Sequence, residues 1–336
     1  MLLLPTFSIA QTEAENESLE HEELSLFFEA DELYVESASR LKENISEAPA
    51  LVNIITAAQI HALGARNLMD ILVTIPGFTE IQDTNEKVVA GRGVFATTTH
   101  KFLLLRDGHR LNEPMFEEIM PANAISLTSI KRIEILRGPG ASLYGNAAFL
   151  GVINIITLDA DAPSLASLVV GDFGAVGVDF VINEKLNQDK QLLIFASVRH
   201  NNGELVNVPA NQDTAATPVA GRQKVDSRPF NFDVGMKYKR KFAQISFAAR
   251  RAAYNTPRAN NGALLTAADT LVKPIQVFET QHLDVQLLPQ WHDIHFTLRH
   301  YADRSFLRTP QYVQTARDAP PLGKAFDLRT RSEEHT

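Results

Sequence analysis

Apolar and polar residues alternate one by one along the second half of the chain, from residue 163 onward. Segment 230–238, which reads FNFDVGMKY, is typical of this pattern. Successive side chains of a β-strand point to opposite faces of a sheet, so each such segment predicts a strand with one apolar and one polar face. We predict strands at residues 165–171, 175–184, 190–200, 228–238, 241–251, 277–288 and 292–304.

The first connection, 172–174, is short, and after this first hairpin the connections alternate between short and long. The short connections are 185–189, 239–240 and 289–291, and the long ones are 201–227 and 252–276. A soluble antiparallel sheet has the same two faces, but short turns at one end and long loops at the other are typical of a transmembrane β-barrel. Barrel diameter grows with strand number, so seven or eight strands are too few to enclose a preceding domain of about 115 residues. We therefore expect region 163–336 to be the N-terminal portion of a larger barrel.

Residues 44–158 carry a mixed pattern. Segment 57–74 has a helix-spaced apolar stripe, and Thr56 with Gln59 has the spacing of a capping box at its start. Gly64 is expected to divide this segment into two short helices. Apolar runs of strand length lie at 51–55, 101–105, 133–136 and 152–156. The combination predicts an α+β domain.

The first 43 residues differ in composition from the rest. Residues 1–10 are apolar and end in Ser-Ile-Ala, which is typical of a signal peptide remnant. Residues 11–43 are acidic: positions 12–39 hold ten Asp and Glu and no Lys or Arg, in a chain of net charge -8. Such charge density favours a solvated tail. The chain has no cysteine, which excludes disulfides, thiolate catalysis and Cys-ligated zinc.

Five short motifs follow one another between residues 44 and 158. They read GARNL at 64–68 with Pro76-Gly77, GRG at 91–93, LLLRDGHRLN at 103–112, RIEILRGPGASLYG at 132–145 and GVINIIT at 151–157. Their order resembles that of the plug domain of TonB-dependent outer-membrane receptors. The resemblance implies an α+β plug domain followed by antiparallel transmembrane β-barrel strands, here an incomplete barrel.

Thirteen motif residues carry this resemblance. They are Arg92, Gly93, Asp107, Gly108, Asn112, Arg137, Gly138, Pro139, Gly140, Tyr144, Gly145, Gly151 and Asn154. We interpret them as determinants of the plug fold and not as ligand contacts, since Gly and Pro at 138–140 permit a tight turn. A buried guanidinium needs a carboxylate or carbonyl partner, and in the resembled family plug arginines pair with barrel acids. We therefore expect Arg92 and Arg137 to pair with acids of the barrel.

A segment ahead of the predicted plug resembles the TonB box. It consists of Glu32, Leu33, Tyr34, Val35, Glu36, Ser37 and Ala38. An extended peptide with alternating apolar residues can add a strand to a partner's exposed sheet edge, and the resembled family engages TonB in this way. Glu32, Leu33 and Glu36 depart from the usual pattern, so a hydrophobic patch within a tail is the alternative.

The resemblance implies energy-coupled import of a scarce ligand across the outer membrane of a Gram-negative cell. TonB, together with ExbB and ExbD, would supply the energy, with the plug and the N-terminal tail accessible from the periplasm and the barrel in outer-membrane lipid. A ferric siderophore is the most frequent small-molecule cargo of the family, and cobalamin, haem and carbohydrate are alternatives. The resemblance implies no cofactor and no nucleic-acid partner.

Ligand contacts are expected in the plug loops at 80–100 and 109–122. The ligand-facing candidates are Met115, Phe116, Glu117 and Glu118, with solvated loop residues as the alternative. The four histidines within 282–300 lack the spacing of a metal site, and no catalytic constellation is present, so neither a metal centre nor an enzyme is predicted. A soluble β-rich binding protein with a plug-like module is the remaining alternative.

Overall fold

The structure is a computed structural model, and it describes most of the predicted plug and strands. The described residues are 34–35, 43–44, 51–82, 87–91, 93–94, 101–112, 119, 125–138, 144–145, 148–159, 162–208, 221–225, 228–255, 275–288, 290–291, 294–295, 298–309 and 326–332. Within these ranges, no helix combines the length and the apolar character needed to cross a membrane.

The N-terminal elements form what we call the plug unit. In chain order they are β1 (Tyr34–Val35), β2 (Glu43–Asn44), β3 (Leu51–Thr56), α1 (Ala57–Ala62), α2 (Leu68–Leu72), β4 (Phe78–Gln82), β5 (Lys87–Gly91), β6 (Phe102–Arg106), β7 (His109–Arg110), a 3-10 turn (Leu127–Ser129), β8 (Ile130–Arg137) and β9 (Gly151–Thr157). Five strands form a sheet in the order β3-β8-β9-β6-β7, in which β6 and β9 are parallel and the other neighbours antiparallel. The mixture of helices and sheet agrees with the predicted α+β domain.

Local sequence signals set the helices. The Thr56 hydroxyl accepts a hydrogen bond from the Gln59 amide at 3.3 Å, and the Gln59 side chain accepts one from the Thr56 amide at 3.0 Å. The predicted capping box is therefore confirmed. Gly64, with a φ of 61°, lies between α1 and α2 and divides the helical segment as predicted.

Both faces of the plug sheet are buried. On one face, Ile133, Ile153 and Ile155 pack with the helices in a core that also contains Leu68 and Ile71. The sheet strands β6, FLLLR, and β9, GVINIIT, therefore read as nearly continuous apolar runs.

Val35 of β1 belongs to the core on the opposite face of the plug sheet. It is fully buried and packs with Leu103, Leu136 and Val152. β1 itself pairs with β2. At this point the chain is part of a folded core, whereas the acidic composition predicts a solvated tail.

The C-terminal elements form a second unit, which we call the barrel sheet. Its strands and associated hairpins are β10 (Leu165–Gly171), β11 (Ala175–Asn187), β12 (Lys190–Asn201), β13 (Glu204–Val208), β14 (Gly221–Val225), β15 (Arg228–Arg240), β16 (Ala243–Asn255), β17 (Ile275–Leu287), β18 (Gln290–Trp291), β19 (Ile294–His295), β20 (Leu298–Thr309) and β21 (Phe326–Ser332). Eight of them form one antiparallel sheet in the order β10-β11-β12-β15-β16-β17-β20-β21. Strands β11, β15, β16 and β17 have 13 residues each, and β12 and β20 have 12. These lengths exceed the about 9–11 residues with which a strand can cross a bilayer.

The barrel sheet has a polar face toward the plug unit and an apolar outer face. The buried side chains of the plug-facing face include Asp179, Ser197, Asn231, Asp233, Arg250, His282, Asp284 and Ser305. The exposed side chains of the outer face include Val176, Val178, Phe180, Met236, Ile245, Phe247, Leu283 and Leu298. The predicted alternation is therefore confirmed, and its sense is the reverse of that in a water-soluble sheet.

The barrel sheet differs from the seven predicted strands at three places. Its eighth strand, β21, was not predicted and pairs with β20. The long connection 201–227 contains a hairpin of β13 and β14, which pair with each other outside the main sheet. The last predicted strand, 292–304, begins later, at Leu298, because Gln290 and Trp291 pair with His295 and Ile294 in a separate small hairpin. Alternation of residue types does not record where a strand leaves the sheet.

Candidate functional site

The plug unit meets the barrel sheet at the end of the β6–β7 hairpin, residues 106–109, which we call the hairpin tip. Asp107 and Gly108 form its two-residue turn, with φ values of 47° and 74°. Positive φ at both positions is the type I′ geometry, for which Asp-Gly is a favoured sequence. A Cβ at position 108 would also lie 3.0 Å from the Arg299 guanidinium.

Amides of two motif residues hold the hairpin in shape. The Asn112 side chain accepts a hydrogen bond from the Leu104 amide at 2.8 Å and donates one to the Phe102 carbonyl at 2.9 Å. The Asn154 side chain accepts one from the Gly108 amide at 3.2 Å. The structure thus brings together the predicted residues Asp107, Gly108, Asn112 and Asn154, although they come from two motifs about 45 residues apart in sequence.

Arg106 forms a two-point ion pair with Asp233 of β15. Nη1 donates to Oδ1 at 3.0 Å, and Nη2 donates to Oδ2. Oδ2 also accepts a hydrogen bond from the Ser126 amide at 2.8 Å. Both charged side chains are buried, at 4% and 1% exposure. A buried pair with this geometry is directional, so it orients the hairpin tip on the sheet.

Asp107 is the next contact along the tip. Its carboxylate accepts hydrogen bonds from the Thr157 amide at 2.9 Å and the Thr157 hydroxyl at 2.6 Å, and Lys237 Nζ lies 3.4 Å away. Burial by itself would raise the pKa of Asp107. The effect of burial is outweighed by the charge of Lys237, the two Thr157 hydrogen bonds and the charge of Arg106. The pKa of Asp107 is therefore lowered below its usual value.

Arg299 of β20 closes the tip from the other side. Its Nε is 3.0 and 3.1 Å from the Asp284 carboxylate oxygens, and its Nη2 donates to the Asp107 carbonyl at 3.3 Å. Strands β15, β17 and β20 therefore all contribute charges around one two-residue turn.

His109 ends the tip in a cluster of rings. Its Nε2 is 3.0 Å from Asp303 Oδ1. Its ring stacks on His282 with the centroids 4.3 Å apart, and it meets Tyr301 edge-on at 5.3 Å. His282 and Asp303 are direct neighbours across β17 and β20.

Arg250 contacts the plug unit through a hydrogen bond to an uncharged group. Its Nη2 donates to the Leu111 carbonyl and to the Thr280 hydroxyl, both at 3.3 Å. Its Nε and Nη1 have no hydrogen-bond partner among the described residues. Arg250 is thus a buried cation that contacts the plug unit without a directly bonded carboxylate, unlike Arg106.

A smaller apolar contact lies beside the charged one. Leu158 of the plug unit packs against Val181, Leu193, Phe195 and Ala248 on the plug-facing side of the sheet. The Phe195 ring also lies 5.1 Å beneath the Arg106 guanidinium, a cation–π distance. The interface is therefore polar at the hairpin tip and apolar at the end of β9.

The other predicted motif residues lie away from the hairpin tip. Arg137 donates to the Pro76 carbonyl at 3.3 Å, so the expected pairing of Arg137 with a barrel acid is wrong for the described residues; Arg106 occupies that role. Gly151 is required by close packing, since a Cβ there would lie 2.5 Å from the Leu136 carbonyl. Gly93, Gly138 and Gly145 occupy turns with positive φ, and Tyr144 packs on the core that contains Val35.

Several predicted residues lie outside the described part of the chain. They are Arg92, Pro139 and Gly140 of the motifs, the candidates Met115, Phe116, Glu117 and Glu118, and Glu32, Leu33, Glu36, Ser37 and Ala38 of the TonB-box-like segment. Of that segment, Tyr34 and Val35 are described, as β1. No group of three or more His, Asp or Glu that suits a metal ion occurs in the described ranges.

Sequence reasoning missed the sheet's half of the site. The alternation places three charged residues, Asp233, Lys237 and Arg299, on the polar faces of predicted strands. It does not identify them as partners of the hairpin tip. The available signal was charge in the middle of long strands, where the polar side faces a buried environment. Such charges need partners, and the partners are far away in sequence.

Comparison with protein families assigns the plug unit. Residues 44–152 match the model described as "TonB-dependent Receptor Plug Domain". This range contains the hairpin tip and all thirteen motif residues except Asn154. The fold and the interface thus define a plug-like domain docked on antiparallel strands.

Curated relatives and solved structures agree with this class. The Vitamin B12 transporter BtuB of Vibrio vulnificus is 31% identical over 139 residues, 41% of this chain and 23% of the relative. BtuB of Vibrio cholerae is 36% identical over 126 residues, 38% of this chain and 20% of the relative. The chain covers about a quarter of the length of such relatives. Residues 44–152 thus form a domain of the kind found as the plug of TonB-dependent receptors.

Two solved structures show the same fold. The siderophore receptor PirA from Acinetobacter baumannii has a TM-score of 0.62 at 16% identity, over 84% of this chain and 43% of that chain. The ferric enterobactin receptor PfeA from Pseudomonas aeruginosa has a TM-score of 0.58 at 20% identity, over 79% of this chain and 42% of that chain. The predicted fold class, a plug domain followed by antiparallel strands like those of receptor barrels, is confirmed.

Proposed function

We propose that the chain is the N-terminal part of an outer-membrane receptor that imports a scarce small molecule with energy delivered by TonB, ExbB and ExbD. Residues 44–158 act as the plug, and residues 163–336 as the first barrel strands. Residues 1–10 are a signal peptide remnant, and residues 11–43 a periplasmic tail with the TonB-box-like segment. The receptor moves its ligand without covalent chemistry, in keeping with relatives that are named transporters and receptors.

One observation carries the proposal: the barrel sheet is apolar on the outside and binds a plug unit on its polar side. An apolar outer face suits lipid, and lipid contact requires that polar side chains turn inward. The plug unit supplies the partners for those side chains, as the Arg106–Asp233 pair illustrates. A soluble binding protein has the opposite need, because its outer face must be polar.

The TonB contact is the finer part of the proposal. A strand added to a TonB sheet edge needs backbone N–H groups in the segment 32–38. Tyr34→Pro removes one N–H and should reduce crosslinking to the purified TonB periplasmic domain, whereas the matched Tyr34→Ala variant should retain it. Equal capture of both variants and of a deletion of residues 33–37 would place the TonB contact elsewhere.

The cargo has two candidates. A ferric siderophore is the first, and it is supported by solved neighbours that are siderophore receptors of the same fold. Cobalamin is the second, and it is supported by curated relatives named vitamin B12 transporters. The matched stretch covers only about a quarter of those relatives, so neither comparison reaches the whole ligand-binding surface.

Uptake by the complete gene product tests the proposal. Cells that express it are expected to accumulate radiolabelled ferric enterobactin or cyanocobalamin, or a related cargo identified by growth under iron or cobalamin limitation. Uptake should be lost in an isogenic strain without TonB, while passive entry of a small sugar through porins should be unchanged. TonB-independent uptake would contradict energy coupling, and recovery of the protein in the soluble fraction would contradict the receptor itself.

A further inference from the structure

The rings of His109 and His282 stack face to face where the plug unit meets the barrel sheet. Their centroids are 4.3 Å apart and their planes differ by 22°. Both side chains are almost fully buried, at 4% and 7% exposure. One histidine comes from the plug hairpin and the other from β17, so the stack exists only while the hairpin tip is docked.

The surroundings of the stack hold more positive than unpaired negative charge. Asp303 of β20 is 3.0 Å from His109 Nε2, and Tyr301 of the same strand meets the His109 ring edge-on. The positive charges that act on His282 from other elements are those of Arg106, Arg250 and Arg299. Two further carboxylates are near, but Asp233 is bound to Arg106 and Asp284 to Arg299.

These neighbours can balance one proton on the histidine pair but not two. A single imidazolium at His109 would be paired directly with Asp303. A second proton would place two cations in stacked contact, in a buried site that already holds three arginines. We propose that the His109–His282 stack is an acid-sensitive contact, which holds the hairpin tip on the sheet while the pair carries at most one proton and releases it when the pair carries two.

The direction of the pH effect follows from the number of bound protons. Once the tip is released, the rings are separate and hydrated, and both can be charged in mildly acidic solution. The released state therefore binds more protons than the docked state and is favoured as the pH falls. Uptake of one additional proton changes the equilibrium by up to about tenfold per pH unit. Asp107 adds to the same trend only at much lower pH, because its pKa is lowered.

A cysteine at Ser305 reports on this release. Ser305 lies on the plug-facing side of β20, two residues from Asp303, and is 6% exposed. The chain has no native cysteine, so Ser305→Cys provides a single thiol, and we expect a water-soluble reagent to reach it when the tip leaves. Val181→Cys, on β11 and 1% exposed, packs with Leu158 of the plug unit and is the control for loosening of the whole interface.

The labelling is measured on the complete gene product in lipid vesicles, with reagent rates corrected for thiol ionisation. Between about pH 7.5 and pH 5.5, labelling of Ser305→Cys is expected to rise at least about fivefold, while labelling of Val181→Cys changes little. His282→Phe keeps a stacked ring but cannot take a proton, so the rise should disappear. His109→Gln provides a second test if His282→Phe does not insert.

The inference rests on the proposed role of residues 44–158 as a plug, but labelling reads the contact directly and uptake reads the role. A rise that persists in both His282→Phe and His109→Gln would overturn the inference. So would an equal rise at Val181→Cys, or constant labelling of Ser305→Cys across the pH range. Loss of uptake with an intact pH response would instead contradict the proposed function.

Discussion

The plug unit and the barrel sheet follow opposite rules for apolar residues. In the plug unit, apolar side chains such as Leu104 and Ile153 are completely buried. In the barrel sheet, Val178 and Phe180 are about half exposed, whereas Asp179 between them is 2% exposed. One chain thus contains a domain that places apolar residues inside and a sheet that places them outside.

The difference indicates which surroundings each unit requires. The plug unit is built for water or for a polar lumen, so its core is held by the hydrophobic effect. The barrel sheet gains nothing from water on its outer face and needs a polar partner on its inner face. The hairpin tip is that partner, and the interface is therefore built mainly from charges and hydrogen bonds.

Removal of a buried charge at the interface should have the largest effect on the stability of the docked plug. Arg106→Met leaves Asp233 buried without its ion pair, although the hydrogen bond from the Ser126 amide remains, and we expect the docked plug to lose about 3–5 kcal/mol. Urea titration of plug release, followed by labelling of Ser305→Cys, measures the loss.

Arg250→Met is the matched control for Arg106→Met. Among the described residues of the plug unit, its guanidinium hydrogen-bonds to the Leu111 carbonyl at 3.3 Å, so its replacement by an apolar side chain should cost less than about 1 kcal/mol. Equal effects of the two substitutions would show that charge pairing does not orient the plug.

Truncation of apolar residues separates the two units directly. Leu104→Ala creates a cavity in the plug core and should cost about 3 kcal/mol of plug stability. Val178→Ala, on the outer face, should leave plug stability within about 0.5 kcal/mol in detergent. Thermal unfolding, followed by proteolysis of the plug, compares the two variants. A loss of plug stability in Val178→Ala as large as that in Leu104→Ala would contradict the distinction between the two units.

The smallest effect concerns pH and Asp107. Because the folded pKa of Asp107 is lowered, its contribution to stability is present above the usual Asp range near about pH 3.9 and is lost as pH falls through the folded value. Asp107→Asn should flatten this acid limb of plug stability while leaving the behaviour near neutral pH unchanged. An unaltered acid limb in the variant would assign the limb to other carboxylates.

Local sequence patterns predicted the elements of both units but not the site between them. Thr56, Gln59 and Gly64 act on their own helical segment, so the sequence was sufficient to place them. Alternation likewise revealed that Asp233 and Asp284 face one side of the sheet. The pairing of individual charges across the interface was not predictable. Arg106 and Asp233 are separated by 127 residues, and their ion pair depends on how the two folded units dock.

The pairing expected for Arg137 but found for Arg106 illustrates the same limit. Arg106 and Arg137 both lie in recognised motifs, LLLRDGHRLN and RIEILRGPGASLYG, and neither motif indicates which guanidinium reaches the barrel sheet. In the structure Arg106 ends β6 at the turn, where a long side chain reaches the sheet. Arg137 ends β8 and hydrogen-bonds within the plug unit.

The central claim is that the outer face of the barrel sheet contacts lipid while the other face holds the plug. Single cysteines at positions 176–183 of β11, spin-labelled in the complete gene product in lipid vesicles, test it through collision with oxygen and with a water-soluble nickel chelate. We predict high oxygen and low nickel accessibility at 176, 178 and 180, and low values for both reagents at 179, 181 and 183. Nickel accessibility equal to or above that of oxygen at the outer positions would contradict the account.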